Sequence, residues 1–268
     1  MANKTYKIGQ ELEVKRMGLG TMRLTAGDGK WGAPIDKSNA IRVLKEAIDI
    51  GIDFFDTADM YGPGISEEII KEALYPYSSE IVIATKGGNE IFSPNNVKPN
   101  CSPKHIRQAL HESLRRLKLE RIDLYQLHTV DPMIEIEFSM EELAKLRMEN
   151  KIRCIGVSNI DIGNFKRALA VTDVQTVQNR FNYNDRTSED LLQFAEKLDI
   201  AFLSYYPLAK GLLAKEGFAH AIENKEGLTL AQQTLLWQIE NFPNLIPLPG
   251  TTSIEHLKEN FLTLNYLH

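Results

Sequence analysis

A chain of 268 residues with 43% hydrophobic side chains is long enough to bury a core of barrel size in one domain. Its formal net charge of −5, with lysines and glutamates interspersed, argues against nucleic acid as a partner, and its apolar runs stop far short of the roughly 20 residues that span a bilayer. Two cysteines, Cys101 and Cys154, offer neither a zinc spacing nor a disulfide framework, and the polar N-terminus lacks a signal-peptide core, so a reducing cytoplasm is expected.

At the start of the chain, Tyr6-Lys7-Ile8 and Leu12-Glu13-Val14 flank Gly9-Gln10-Glu11, which predicts a β-hairpin able to plug the bottom of a barrel. Short apolar runs then alternate with amphipathic helical windows, the pattern of βα units around a parallel sheet. The runs predict eight strands with cores at 17–20, 52–55, 81–84, 122–127, 152–157, 174–177, 200–203 and 245–248. Ser102-Pro103 supplies a cap and a first-turn proline before Ile106, Leu110, Leu114 and Leu117, which predicts a helix there. Ser139-Met140-Glu141-Glu142 and Thr229-Leu230-Ala231-Gln232 match the capping box, and each is expected to open a further helix. Residues 23–34 and 87–103, rich in Gly, Asn and Pro, are expected to be functional loops over one face. Eight alternating units predict an α/β fold, a (β/α)8 TIM barrel with an N-terminal β-hairpin, formed by residues 1–268 as a single domain. An open doubly wound sheet fits less well, because the first strand carries only Gly18-Leu19-Gly20 and no G-x-G-x-x-G.

Four residues, Asp56, Tyr61, Lys86 and His128, sit just past the ends of successive apolar runs, where a TIM barrel collects its active site. Taken singly, Asp56 reads as a turn residue, Tyr61 as cover for the Gly62-Pro63-Gly64 turn, Lys86 as solvated and His128 as a satisfied core histidine. Their common position reverses that reading. Asp56 paired with Lys86 would hold an ammonium near the Tyr61 oxygen, and an adjacent ammonium is expected to lower a phenol pKa from about 10. With His128 donating to the same oxygen, the set would polarise a carbonyl and deliver a proton to it. The hydride must come from a nicotinamide or flavin, since no side chain supplies one. Polar groups that could hold such a cofactor follow the later strands: Ser158-Asn159, Gln178-Asn179, Tyr205 and Gly250-Thr251-Thr252. His105, His111, His220 and His268 are dispersed, so no metal set is expected.

Through Asp56-Thr57-Ala58-x-x-Tyr61-Gly62, Thr85-Lys86, Leu127-His128, Gly156-Val157-Ser158-Asn159, Gln178-Asn179, Pro249-Gly250-Thr251 and Glu259-Asn260, the chain resembles the aldo-keto reductase superfamily. The resemblance implies a (β/α)8 barrel that binds NADPH, or NADH, without a Rossmann domain and reduces small-molecule aldehydes or ketones. It implies Tyr61 as general acid, Lys86 and Asp56 as its tuning pair, and His128 as the group orienting the carbonyl oxygen. For the cofactor it implies Gly20, Thr21, Met22 and Asp56 along the groove, and Ser158, Asn159 and Gln178 at the carboxamide. Tyr205 would stack on the ring, Tyr206, Pro207, Leu208, Lys210 and Gly211 would follow the pyrophosphate, and Gly250, Thr251, Thr252, His256, Glu259 and Asn260 would take the adenosine end. Trp31 is expected to add an apolar wall to a substrate pocket bounded by Tyr61 and His128.

The chain departs from many members at Gly250 and His256, where they place lysine and arginine, and at Tyr206, where serine is common. It ends eight residues after Asn260, which predicts an open substrate pocket. Asp59-Met60-Tyr61-Gly62-Pro63-Gly64 and Ala73-Leu74-Tyr75-Pro76-Tyr77 resemble the bacterial reductases associated with pyridoxal or pyridoxine. Two other functions compete: a cofactor-binding redox sensor, for which no partner-specific extension is present, and a Schiff-base lyase using Lys86, which an ion pair with Asp56 would disfavour by keeping the amine protonated.

Overall fold

The computed structural model describes residues 3–26, 31–93, 96–215 and 225–267. Its first element is the expected hairpin, β1 (Thr5–Ile8) paired antiparallel with β2 (Leu12–Lys15) through a turn in which Gly9 takes φ +57. Eight strands follow in one parallel sheet: β3 (Leu19–Gly20), β4 (Phe54–Asp56), β5 (Val82–Gly87), β8 (Ile122–Leu127), β9 (Ile152–Ser158), β10 (Thr176–Arg180), β11 (Ala201–Tyr205) and β12 (Leu245–Leu248). Each pairs with its successor, and Gly18 N donates to Pro247 O (3.1 Å) and Gly20 N to Pro249 O (3.1 Å), which joins the last strand to the first. The sheet is a barrel.

Helices α1 (Lys37–Asp49), α2 (Ile65–Leu74), α3 (Pro103–Leu117), α4 (Ile136–Met148), α5 (Ile162–Val171), α6 (Glu189–Glu196), α7 (Leu230–Asn241) and α8 (Ile254–Leu262) each follow one barrel strand. Their apolar faces and the outward side chains of the strands form the larger core, including Val43, Leu44, Phe55, Ile83, Ile106, Tyr125, Ile155 and Phe202. A second core fills the barrel's lower interior. There Phe54, Val82, Ala84, Leu124, Cys154, Leu203 and Ile246 meet Ile8, Leu12 and Val14 of the hairpin, so the hairpin plugs that end.

Strand periodicity then decides where polar chemistry can sit. Two residues beyond Phe54, Ala84 and Leu124 come Asp56, Lys86 and Gln126, on the same inward face but one layer higher. Ser158 and Gln178 occupy the same polar layer on β9 and β10, where Gln178 pairs in register with Ser158. These polar residues lengthen the strands past the predicted apolar cores: Lys86 lies within β5, and Gln178 and Asn179 within β10, rather than after them.

Two further expectations are corrected. Residues 87–103 are not an irregular loop but carry a second hairpin, β6 (Asn89–Ser93) with β7 (Asn96–Pro99). The Ser139 capping box does not open a helix, because α4 already begins at Ile136. Asp131 ties the preceding turn by accepting from Cys101 N (3.1 Å) and Met133 N (2.9 Å), and the Ser139 hydroxyl is used elsewhere, donating to Cys101 O at 2.7 Å. Thr229 does form its box with Gln232 at the start of α7. Thr229→Ala is expected to cost about 1 kcal/mol, read as a lower midpoint in chemical denaturation.

Of the expected loop at 23–34, residues 27–30 lie outside the described residues, as do His220 and His268. Among the described residues, no helix is long and apolar enough to cross a membrane, and no three His, Cys, Asp or Glu side chains gather as a metal site.

Candidate active site

The polar layer opens into a cleft of about 660 Å³ at the C-terminal end of the strands. At its floor Lys86 is fully buried and gives its ammonium to Asp56 Oδ2 (2.7 Å) and to Thr57 O (2.8 Å), with the Tyr61 hydroxyl at 3.5 Å. The other Asp56 oxygen accepts from Gln178 Nε2 (2.8 Å) and Gln126 Nε2 (3.2 Å). Every polar atom of the buried ion pair is thereby tied to a fixed partner, which is what keeps such a pair from being a liability. Burial is the largest single effect and works against the Lys86 charge, but Asp56 and Tyr61 together outweigh it and hold the ammonium above its ordinary value.

Tyr61 stands on the segment between β4 and α2, its backbone N–H bonded to Ala58 O (3.2 Å), and its ring meets that of His128 edge-on at 6.1 Å. Lys86 was expected to lower the phenol's pKa. The outcome is the reverse: burial raises it, and the opposing pull of Lys86 is the smaller effect. Burial, and after it the Lys86 charge, hold His128 well below the ordinary imidazole value, so the ring is neutral and presents a single N–H. Its Nδ1 is buried without a hydrogen-bond partner among the described residues.

The cleft runs from this floor between two walls. One is Gly20, Thr21, Met22 and Arg23; the other is Tyr205 to Leu208 with Lys210 and Gly211, where Lys210 (φ +60) and Gly211 (φ +91) turn the chain in left-handed conformations. Its far end is Gly250, Thr251, Thr252, His256, Glu259 and Asn260. Gly250 has to be glycine, since a Cβ there would stand 2.7 Å from Gly20 O. Ser158 and Gln178 line the middle. Asn159 also lines it, but its side chain is engaged on all sides: Nδ2 donates to His128 O (2.9 Å) and Ser158 Oγ (3.1 Å), and Oδ1 accepts from the Tyr205 hydroxyl (2.7 Å). Tyr206, at φ +54, is flanked by Arg180 and Lys210 at 5.4 and 5.1 Å from its ring.

Tyr61 and His128 thus line the cleft, whereas Trp31, 39% exposed, does not. Sequence reasoning missed Gln126, although it lies on β8 only two residues before His128, and it missed Arg23 and Lys215, two further cations on the cleft.

Comparison with known proteins converges on one family. Residues 16–266 match the model of the aldo/keto reductase family. The chain belongs to the aldo/keto reductase family. An uncharacterized oxidoreductase of Schizosaccharomyces pombe is 42% identical over 96% of this chain and 83% of its own length. Pyridoxine 4-dehydrogenase of Escherichia coli is 32% identical over 97% of this chain and 92% of its own. Among solved structures, a glycerol dehydrogenase from Gluconobacter oxydans superposes with a TM-score of 0.88 at 29% identity, covering 100% of this chain and 91% of that one. An aldo-keto reductase from Klebsiella pneumoniae in complex with NADPH gives 0.80 at 28% identity, covering 100% and 92%. As an aldo-keto reductase, the chain is an NAD(P)H-dependent oxidoreductase of the carbonyl and alcohol pair.

Proposed function

We propose that this reductase, acting as one barrel domain, converts a small aldehyde or ketone to the alcohol with NADPH, and that Tyr61 donates the proton. The observation that carries the reading is the convergence of Tyr61, Lys86, Asp56 and His128 at one end of a single cleft. The cleft fits an extended dinucleotide: Ser158 and Gln178 line it for a carboxamide, Arg23, Lys210 and Lys215 put cations on it, and His256 lines it with Gly250. Bound NADPH supplies the hydride. Tyr205 offers a ring beside the Ser158 and Gln178 wall. At neutral pH the Tyr61 phenol carries its proton and the His128 ring is neutral, so both present O–H or N–H donors to a carbonyl oxygen that gains negative charge. When Tyr61 gives up its proton, the Lys86 ammonium 3.5 Å away stabilises the phenolate left behind.

Pyridoxal and other small carbonyls are the substrates we infer, the former from the relative named pyridoxine 4-dehydrogenase. A reducing cytoplasm suits Cys101 and Cys154, which are buried and unpaired. The test is NADPH oxidation against a panel of pyridoxal, nitrobenzaldehyde and methylglyoxal, repeated with NADH. Turnover supports reduction; tight NADPH binding without turnover on any carbonyl would replace the reading with a cofactor sensor.

The 2′-phosphate has no lysine at position 250. Arg23 supplies a cation from the facing wall instead, its Cγ 3.6 Å from where a Cβ of Gly250 would lie, and His256 sits in the first turn of α8. Since a charge-assisted hydrogen bond contributes about 1.5–3 kcal/mol, Arg23→Ala should weaken NADPH binding roughly tenfold or more and leave NADH nearly unaffected, measured by fluorescence titration. His256→Ala should act in the same direction.

A further inference from the structure

Behind the Tyr61 segment, on the side away from the cleft, lies a buried set of titratable groups that the mechanism above does not use. Glu67 of α2 is fully buried and has a donor on each oxygen: the Thr85 hydroxyl on Oε1 (2.6 Å) and Arg116 Nε of α3 on Oε2 (2.6 Å). Arg116 also donates to Ser113 (3.3 Å) and lies 3.8 Å from the exposed Glu112. Glu67 therefore takes the Arg116 charge, as Asp56 takes that of Lys86. Asp59 remains. Its Oδ1 is buried with no partner among the described residues; the Met60 backbone N–H donates to the carboxyl, and the Arg116 and Lys86 charges that also act on it are already paired with Glu67 and Asp56.

An unpaired carboxylate in such a place is prohibitively unfavourable, and the group keeps its proton instead. Burial, and next the Glu67 charge, push the Asp59 carboxyl up to about 8. On β8 the Tyr125 hydroxyl is also fully buried without a partner, in space kept open by Gly87, whose Cβ would stand 2.1 Å from it. An ionised Asp59 would be the strongest of the charges acting on that hydroxyl, ahead of Glu67 and Arg116.

The backbone of Asp59 connects this set to the catalytic segment. Its N–H donates to Lys86 O (3.1 Å), its carbonyl accepts from Gly64 N (2.7 Å), and Tyr61 follows two residues later. Resting on the reading of Tyr61 as proton donor, we propose that Asp59 is held as a neutral carboxylic acid that positions Tyr61, and that its ionisation sets the alkaline limit of carbonyl reduction. A charge appearing there is repelled by Glu67, pulls water toward the Tyr61 turn and opposes the phenolate that proton donation creates.

The experiment is the dependence of kcat on pH for the full chain saturated with NADPH and an uncharged aldehyde. Wild type should lose activity with an inflection near pH 8, and Asp59→Asn should lack that inflection. The same inflection in Asp59→Asn overturns the proposal. Linkage gives a second readout with a definite sign. A carboxyl raised from about 3.9 in the unfolded chain to about 8 in the folded one binds more protons when folded, so wild-type stability falls relative to Asp59→Asn as pH climbs through that window. Parallel melting curves across that window would equally overturn it. Should Asp59→Asn fail to fold, Glu67→Gln removes the charge that, after burial, most raises the Asp59 carboxyl and should move the kcat inflection to lower pH; an unmoved inflection rejects the role. Failure of the underlying reading shows separately, as activity surviving in Tyr61→Phe.

Discussion

Tyr61→Phe should retain NADPH binding and lose about two to four orders of magnitude in kcat, the range ascribed to a positioned general acid. The geometry separates the two effects. Among the described residues the hydroxyl makes one hydrogen bond, the 3.5 Å contact from Lys86, so its removal leaves the Asp56, Gln126 and Gln178 contacts in place. The phenylalanine ring keeps the edge-on packing against His128. What disappears is the neutral O–H at the floor that the Lys86 ammonium can assist. Stopped-flow turnover alongside a fluorescence titration of NADPH decides the matter, and near-wild-type reduction would remove Tyr61 from the mechanism. In the wild type the acid limb of kcat should stay flat through the ordinary histidine range, because His128 protonates only well below it.

How much of this was legible in the chain follows from which forces are local. The barrel was, because apolar runs of strand length recur between helical windows, and the plug was, because Gly9 marks its turn. Strand ends were not, since the inward residues Asp56, Lys86 and Gln178 are polar and break the apolar pattern while still belonging to the ladder. Ser139 shows a related limit. A capping motif describes what a side chain can do, and here a carbonyl 38 positions away claimed the hydroxyl first. The four residues at the cleft floor were visible because each follows or ends an apolar run, but the direction of the Tyr61 shift was not. It depends on how deeply the phenol is buried, which no local pattern records. The Gln126 tether and the Glu67 and Arg116 pair join positions 70 and 49 apart, so only the closed barrel brings them together.

Lys86→Met should destabilise the fold by about 3–5 kcal/mol and abolish turnover, because it leaves the Asp56 carboxylate buried without its cation. Gln126 and Gln178 still donate to one oxygen, but Oδ2 loses its partner along with the compensating charge. Adding Asp56→Asn removes the stranded charge, and the double variant Lys86→Met with Asp56→Asn should recover most of the stability in urea denaturation. It should recover none of the activity, since the ammonium that stabilises a Tyr61 phenolate is still missing. A double variant as unstable as the single one would mean that Lys86 serves packing rather than charge. One that regained turnover would mean that Tyr61 needs no cation beside it, and the Lys86 contact at 3.5 Å would then be structural alone.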